Sequence, residues 1–319
     1  MSTQLGVMYR REQDPSGLIN AAQRAEALGF DEFWIVEDCF YMGGISQTAI
    51  ALAATESIKV GIGINPTVAH NAAILAMEYS TLARAFPGRL IGGLGHGVDI
   101  WMQQIGEKVA SPLTAMEETT TAMKRMLAGE RFSMDGRYVK LTDVQLDPPP
   151  VVAPPILHGV RKTKSMKLAG RVADGVLLAE NAGADYIRWS HEQFYSERSE
   201  PGHIAVYVHA LVDDKNRDGA FEKMRWVVAN ACQAGVDAAT EVLPYAADLQ
   251  KLVDEGGEEA LFQKMPDAWV HDLSIAGSVA EGQATIDTMV EAGAQSIIFT
   301  PMPEWDWMEW MEKVAALIP

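Results

Sequence analysis

Two acids and a histidine stand where short apolar segments of the chain end, at positions that can support acid–base chemistry. Glu37 and Asp38 are adjacent, and such a pair can bind a ligand or hold a general acid in place. His96 stands between Gly95 and Gly97, and an imidazole titrates near neutral pH and can deliver or accept a proton. We take Glu37, Asp38 and His96 as candidate catalytic residues. The alternatives are helix-capping or solvated acids and a structural histidine.

A basic turn follows the apolar segment 156–159 and leads into a predicted helix. Arg161, Lys162 and Lys164 place three cations within four residues. Cations at a helix N-terminus oppose the helix dipole, which favours acids there. The whole chain has 26 Lys and Arg against 43 Asp and Glu, a net charge of −17. In so acidic a chain this turn indicates an anionic partner such as a phosphate, and the alternative is a solvated basic turn.

Glycines alternate with isoleucines in the segment 61–66, which reads Gly-Ile-Gly-Ile-Asn-Pro. Alternating glycines remove the side chains from one face of a strand, so a flat ring could approach the backbone there. The alternative is a bulge that only fits the curvature of the sheet.

The elements that must position these residues alternate between strands and helices. Apolar runs predict eight strands, at 4–9, 32–36, 59–64, 90–95, 156–159, 175–178, 204–212 and 296–299. Helical patterns lie between them, at 15–28, 45–54, 71–84, 112–127, 163–171, 185–195, 218–264, 279–292 and 304–317. Eight βα units in order favour a (β/α)8 TIM barrel over an open sheet. A dinucleotide-binding open sheet would also need a GxGxxG motif after the first strand, and the sequence has none there. Active sites of such barrels lie at the carboxyl ends of the strands.

No composition break divides the chain, so we predict a single domain over residues 1–319. The mostly helical segment at about 213–270 is interpreted as an insertion before the last βα unit.

The composition also excludes several classes of partner. The net negative charge argues against nucleic acid and anionic membranes, and no apolar run is long enough to span a bilayer. Cys39 and Cys232 form no CxxC pair, which favours a reducing cytoplasm. The chain has no HExxH, GxSxG or P-loop motif. No metal site is predicted, because the first strand ends in Tyr9 and Arg10 rather than in His-x-His. A small-molecule substrate fits best.

Several segments, taken in order, resemble one family. They are Leu-Gly-Phe-Asp-Glu-Phe-Trp-Ile-Val-Glu-Asp at 28–38, the glycine segment 61–66 with His70, Pro-Gly-Arg-Leu-Ile-Gly-Gly-Leu-Gly-His-Gly at 87–97, 155–159 with 168–175, and 293–299. The chain resembles the luciferase-like flavin and deazaflavin oxidoreductases, and most of all the methylene-tetrahydromethanopterin-reductase-like branch. The resemblance covers nearly the whole chain. Each piece is weak, but the ordered combination is specific.

The resemblance implies hydride transfer between the deazaflavin coenzyme F420 and an unidentified organic substrate. An FMN-dependent monooxygenase is the first alternative, and a non-catalytic flavin-binding barrel is the second. The resemblance also implies a homodimer, formed through the helices that follow strands two and three.

The same resemblance implies a non-proline cis peptide, Gly63–Ile64, against which the cofactor ring packs. The basic turn replaces a Gly-Pro-Lys sequence of the family, and His96 stands where the deazaflavin branch often has an acid. His96 is therefore our first candidate for proton transfer. The cofactor-binding residues that we expect, including Lys164 from the basic turn, are Asp38, Gly63, Ile64, Gly95, His96, Gly97, Gly159, Val160, Arg161, Lys164, Ala179 and Glu180.

Overall fold

Eight parallel strands close into a barrel in the computed structural model of the chain, which describes residues 3–319. The strands are β1 (Gln4–Tyr9), β2 (Glu32–Ile35), β3 (Lys59–Ile62), β4 (Leu90–Gly95), β5 (Ile156–Gly159), β6 (Gly175–Leu178), β7 (His203–Val212) and β8 (Ser296–Thr300). Each strand pairs with the next one in the chain. β8 pairs with β1, where Gln4 lies opposite Ser296. The predicted (β/α)8 barrel is therefore confirmed.

Helices lie in the segments that connect the strands and surround the barrel. They are α1 (Leu18–Ala27), α2 (Gly44–Ala54), α3 (Ala72–Ala85), α4 (Asp99–Gln104), α5 (Pro112–Leu127), α6 (Thr163–Val172), α7 (Ala184–Tyr195), α8 (Arg217–Cys232), α9 (Ala246–Lys264), α10 (Asp267–Leu273), α11 (Val279–Glu291) and α12 (Trp307–Val314). Their apolar faces are buried, as Met166, Leu168 and Ala169 of α6 are. No helix within residues 3–319 is both long enough and apolar enough to cross a bilayer.

Several boundaries differ from the sequence predictions. The first helix begins at Leu18 rather than at Pro15, because Asp14 caps a separate 3-10 turn, Pro15–Gly17. β3 ends at Ile62, and the next peptide bond but one, Gly63–Ile64, is cis. The cis peptide that the resemblance implies is thus confirmed. Helix α4 was not predicted, whereas the antiparallel hairpin of Phe132–Asp135 and Lys140–Val144 lies in the segment 131–147, whose polar sequence is strand-like.

The largely helical stretch predicted at 218–264 contains two helices, α8 and α9, which are separated by residues 233–245. Within α9 the backbone also leaves the helical conformation at Gly256 and Gly257. A short strand, Ile275–Gly277, extends the sheet at the far end of β7 and was missed. Three residues are too few to show a periodicity that separates a strand from its neighbours.

The inside of the barrel holds an apolar cluster of its own. Its buried members are Met8, Trp34, Ile91, Leu157, Leu177, Ala205, Tyr207 and Ile298. Below this cluster, the buried carboxylate of Glu32 accepts hydrogen bonds from Trp34 Nε1 and Ser296 Oγ, each at 2.8 Å. Burial raises the pKa of Glu32 despite these bonds. The Glu32 carboxylate thus has hydrogen-bond partners inside the barrel. The apolar cluster lies between Glu32 and the carboxyl ends of the strands, where it forms the floor of a cavity.

Gly93 on β4 is required by a close approach between neighbouring strands. A Cβ atom at this position would lie 1.9 Å from the backbone carbonyl oxygen of Ile62. Because a carbonyl oxygen of a paired strand cannot rotate away as a side chain could, any larger residue must displace the strand itself.

Replacing Gly93 with alanine is expected to destabilise the protein by about 1–3 kcal/mol or more, because overpacking forces a backbone shift. Gly43→Ala is the matched control. At Gly43 the backbone φ is −71° and the nearest atom to an added Cβ is Ser46 Oγ at 3.8 Å. This change should cost less than about 1 kcal/mol. Denaturant unfolding of both variants measures the difference, and equal stabilities would contradict the packing argument.

Candidate active site

A cleft at the carboxyl ends of the strands collects most of the predicted site residues. It consists of a barrel-mouth cavity of about 420 Å³ and an adjoining side cavity of about 390 Å³. The predicted residues that line the barrel-mouth cavity are Asp38, Gly63, Ile64, Gly159, Val160, Arg161, Ala179 and Glu180. Those that line the side cavity are Glu37, Asp38, Ile64, His96, Gly97, Gly159, Val160 and Arg161. Gly95 and Lys164 line neither cavity, whereas Lys162 lines the side cavity.

The glycines near the cleft make room for protein side chains. A Cβ atom at Gly95 would lie 2.5 Å from Ile64 Cδ1, and one at Gly159 would lie 2.7 Å from Ile64 Cγ2. At Gly61 it would lie 2.4 Å from the Trp34 ring. The two alternating glycines of the segment 61–66 thus differ, because the Trp34 ring fills the space at Gly61, whereas Gly63 lines the barrel-mouth cavity. Gly95 and Gly159 instead seat the Ile64 side chain, and the peptide before Ile64 lies at the cavity wall.

Glu37 is held at the side cavity by groups that engage both of its carboxylate oxygens. His70 Nε2 lies 2.5 Å from Oε1, and the backbone N–H of Gly44 donates to Oε2 at 2.7 Å. Burial alone would raise the pKa of Glu37, but the hydrogen bond and charge of His70 and the Gly44 amide leave it below its ordinary value. Glu37 is therefore an ionised group with fixed partners, which suits positioning better than proton donation.

Asp38 forms an ion pair that sequence reasoning missed. Arg11 Nη1 lies 2.7 Å from Asp38 Oδ2, and its guanidinium lies over the rings of Tyr41 and Trp101, at 4.9 and 5.6 Å from the centroids. Burial lowers the pKa of Arg11, but its hydrogen bonds to Glu12 and Asp38 raise it overall. Arg11 joins the loops after β1, β2 and β4 at the cavity mouth. The sequence signal that could have identified Arg11 is its position just after the first strand, because the carboxyl ends of barrel strands border the active site.

His96 lies in the wall of the side cavity with one free nitrogen. Its Nε2 is 3.4 Å from Ser165 Oγ, and its buried Nδ1 has no hydrogen-bond partner within residues 3–319. Burial lowers the pKa of His96, so the imidazole is neutral at pH 7. A neutral imidazole can accept a proton.

The basic turn leads into α6 and borders both cavities. Lys162 is the N-cap residue, and the first turn of α6 contains no acidic residue. The turn is held in place by Tyr186 Oη, which donates to the backbone oxygen of Arg161 at 2.7 Å. Arg161 Nη1 also pairs with Asp237 at 3.2 Å on the exposed side. Amide groups at a helix N-terminus with two nearby cations form an arrangement that can bind an anion.

Positive and negative side chains are equal in number in the barrel-mouth cavity. Its cations are Arg10, Arg11 and Arg161, and its acids are Glu12, Asp38 and Glu180. Within residues 3–319 no group of three or more His, Cys, Asp or Glu side chains is placed to bind a metal ion.

The family model for luciferase-like monooxygenases matches residues 1–296 of this chain. The chain belongs to the luciferase-like monooxygenase family. The resemblance seen in the sequence is therefore confirmed, and so is the enzyme class, a luciferase-like oxidoreductase.

Relatives of known name cover most of the chain. A 5,10-methylenetetrahydromethanopterin reductase of Methanolobus tindarius is 29% identical over 286 residues, which are 87% of each chain. An F420-dependent glucose-6-phosphate dehydrogenase of Microbacterium testaceum is 27% identical over 238 residues, 66% of this chain and 68% of its own.

Solved structures share the fold over nearly their full length. The coenzyme F420 dependent tetrahydromethanopterin reductase of Methanopyrus kandleri superposes with a TM-score of 0.80 at 22% identity, over 99% of this chain and 98% of that one. A type II Baeyer–Villiger monooxygenase of Pseudomonas putida in complex with FMN gives 0.73 at 18% identity, over 99% and 97%. These likenesses show the fold, and they include users of both cofactors.

Proposed function

We propose that this protein is an F420-dependent oxidoreductase, which transfers a hydride between the deazaflavin and a small organic substrate. The observation that carries the proposal is that the N-terminus of α6, with Arg161 and Lys162, borders the same cavity as the apolar wall at Ile64 and Val160. The relative from Microbacterium testaceum, which is named as F420-dependent, supports the choice of cofactor.

The residues of the cleft fit a flat ring with an anionic tail. The ring side has an apolar wall at Ile64 and Val160, and the tail side has two cations and the free amides of α6. The buried hydroxyl of Tyr207 and Nδ1 of His96 have no partner within residues 3–319. We assign the ring to the cis peptide and Asp38, and the tail phosphate to the basic turn.

The other residues that we propose as cofactor contacts line the same two cavities. Gly97 lines the side cavity, and Ala179 and Glu180 line the barrel-mouth cavity at the end of β6. Gly95 supports the site by seating Ile64 rather than by contact.

When bound, F420 supplies a ring carbon that donates or accepts the hydride. The protein holds donor and acceptor together and limits water, with Met8, Val36, Leu177 and Trp101 in the cavity wall. His96 accepts the proton released when a substrate hydroxyl is oxidised and returns it in the reverse direction. Glu37 is fixed by His70 and Gly44 and keeps a negative charge on that side of the cleft.

An FMN-dependent monooxygenase is the second candidate, because a phosphate site beside an apolar wall serves either cofactor. Titration of the purified protein with F420 and with FMN, followed by fluorescence, separates the two. We expect F420 to bind and FMN to bind much more weakly. Binding of FMN alone would favour the monooxygenase, and binding of neither would overturn the proposal. Tight binding of either cofactor without turnover of any hydride donor would favour the second alternative, a non-catalytic flavin-binding barrel.

Removing the cations of the tail site should weaken F420 binding. For Arg161→Ala combined with Lys162→Ala we expect a roughly tenfold higher Kd at low salt and a smaller effect at high salt, because salt screens exposed charges. Lys164→Ala is the matched control, since Lys164 is an exposed cation of the same turn outside both cavities. An equal loss in the control would show that only net charge matters.

His96→Gln should bind F420 within about threefold of the native protein and lose roughly 100-fold or more in turnover. The burial-lowered pKa of His96 also predicts a pH profile. In the direction of substrate oxidation, the rate should fall at acidic pH as the imidazole becomes protonated, with its midpoint below the ordinary histidine value of about 6.5, and the variant should lack this acidic limb. His203→Gln is the control, because His203 bonds to Ser296 at the opposite end of the barrel. Unchanged turnover in His96→Gln would remove His96 from the mechanism.

We also propose that the protein is a cytoplasmic homodimer. Ile50 on α2 and Ile74 and Met77 on α3 are exposed apolar residues on the helices that follow β2 and β3. Light scattering during size-exclusion chromatography should give twice the chain mass of 34.8 kDa, and Met77→Glu with Ile74→Glu should shift it to a monomer. A monomeric native protein would contradict this prediction.

A further inference from the structure

The hydroxyl of Tyr207 is a buried polar group that the protein leaves without a partner. Tyr207 lies on β7 and is 5% exposed, and its Oη forms no hydrogen bond within residues 3–319. A buried hydroxyl without an acceptor destabilises a folded protein compared with phenylalanine at the same place. The ring alone would fill the space, so the hydroxyl calls for a function other than packing.

The surroundings of this hydroxyl place it beneath the cis peptide. A Cβ atom at Gly63 would lie 1.9 Å from Tyr207 Oη, and Tyr207 and Gly63 both line the barrel-mouth cavity. Leu177 packs on the same side, and the Trp34 ring meets the Tyr207 ring edge-on at a centroid distance of 5.7 Å. The phenol ring is therefore held in one orientation by apolar contacts.

The other polar side-chain atom of the interior cluster, Trp34 Nε1, does not pair with this hydroxyl. Trp34 Nε1 already donates to Glu32, on the side away from the cavity. Burial, with the charges of Glu180, Asp38 and Glu32, raises the pKa of Tyr207 well above its ordinary value. The hydroxyl therefore keeps its proton and can act as a donor at any working pH.

We propose that Tyr207 Oη donates a hydrogen bond to a carbonyl oxygen on the pyrimidinedione edge of the bound ring, an inference that rests on the proposed function. That edge carries two carbonyls on either side of an N–H and is common to flavins and deazaflavins. Tyr207 then acts as a positioning residue, because it fixes how the ring is turned on the peptide Gly63–Ile64.

Tyr207→Phe tests this with three readouts that do not depend on turnover. We expect the Kd for F420, or for FMN if only FMN binds, to rise roughly three- to tenfold, the range of one neutral hydrogen bond. We expect the ligand-free variant to melt at the native temperature or above it, since an unpaired hydroxyl has been removed. The absorption band of the bound ring should also shift relative to the native complex.

Tyr245→Phe is the matched control, because it removes a phenol hydroxyl that already has a partner. Tyr245 Oη donates to Asp272 Oδ2 at 2.5 Å, and Tyr245 lines neither cavity of the cleft. It should show the opposite pattern, with a lower melting temperature and an unchanged Kd.

Three results decide the outcome. An unchanged Kd in Tyr207→Phe, while the native protein binds the cofactor, overturns this inference and leaves the proposed function standing. A lower melting temperature of ligand-free Tyr207→Phe also overturns it, because the hydroxyl would then have a partner inside the protein. If the native protein binds neither F420 nor FMN, the proposed function itself fails, and this inference fails with it.

Discussion

The side chain of Ile64 packs against the backbone of two neighbouring strands, and this contact organises the cleft. Ile64 follows the cis peptide after β3 and fills the space that Gly95 on β4 and Gly159 on β5 leave open. On the other side of the same peptide, Gly63 lies against Tyr207 of β7. One short segment thus touches three other strands of the barrel. The shape of the cavity floor depends on all of these contacts, because protein interiors have little free volume to absorb a shift.

Around that floor, the charges of an acidic protein are distributed with a clear asymmetry. At the mouth, Arg11 is neutralised by Asp38 and stacked on aromatic rings, so this cation serves to join three loops. At the basic turn, Lys162 borders the side cavity and forms no ion pair within residues 3–319, and no acid stands in the first turn of α6. Only the second place combines uncompensated charge with free backbone amides. This difference is why the proposed function puts the anionic tail of the cofactor at the basic turn.

The sequence predicted the barrel because its strands are short apolar runs and its helices are amphipathic, and both signals are local. It also placed Asp38 and His96 correctly in the cleft, since strand ends of a barrel must meet. The contact of Arg11 with Asp38 spans 27 positions and depends on side-chain directions that no periodicity encodes. For the same reason, the glycine pattern of 61–66 did not show that the Trp34 ring fills the space beside Gly61. A missing side chain signals a close approach, but the pattern alone does not say whether a ligand or another residue makes it.

The two candidate acid–base groups of the side cavity have opposite environments, and this separates their roles. Burial lowers the pKa of His96, while the bonds from His70 and Gly44 leave the pKa of Glu37 below its ordinary value. At neutral pH the first is an uncharged base with a free nitrogen, and the second is an anion with both oxygens engaged. Divergent environments of this kind are how one site assigns proton transfer to one group and electrostatic support to the other. In the function that we propose, a proton that leaves the substrate therefore has His96 as its acceptor, and the fixed charge of Glu37 favours the imidazolium that results.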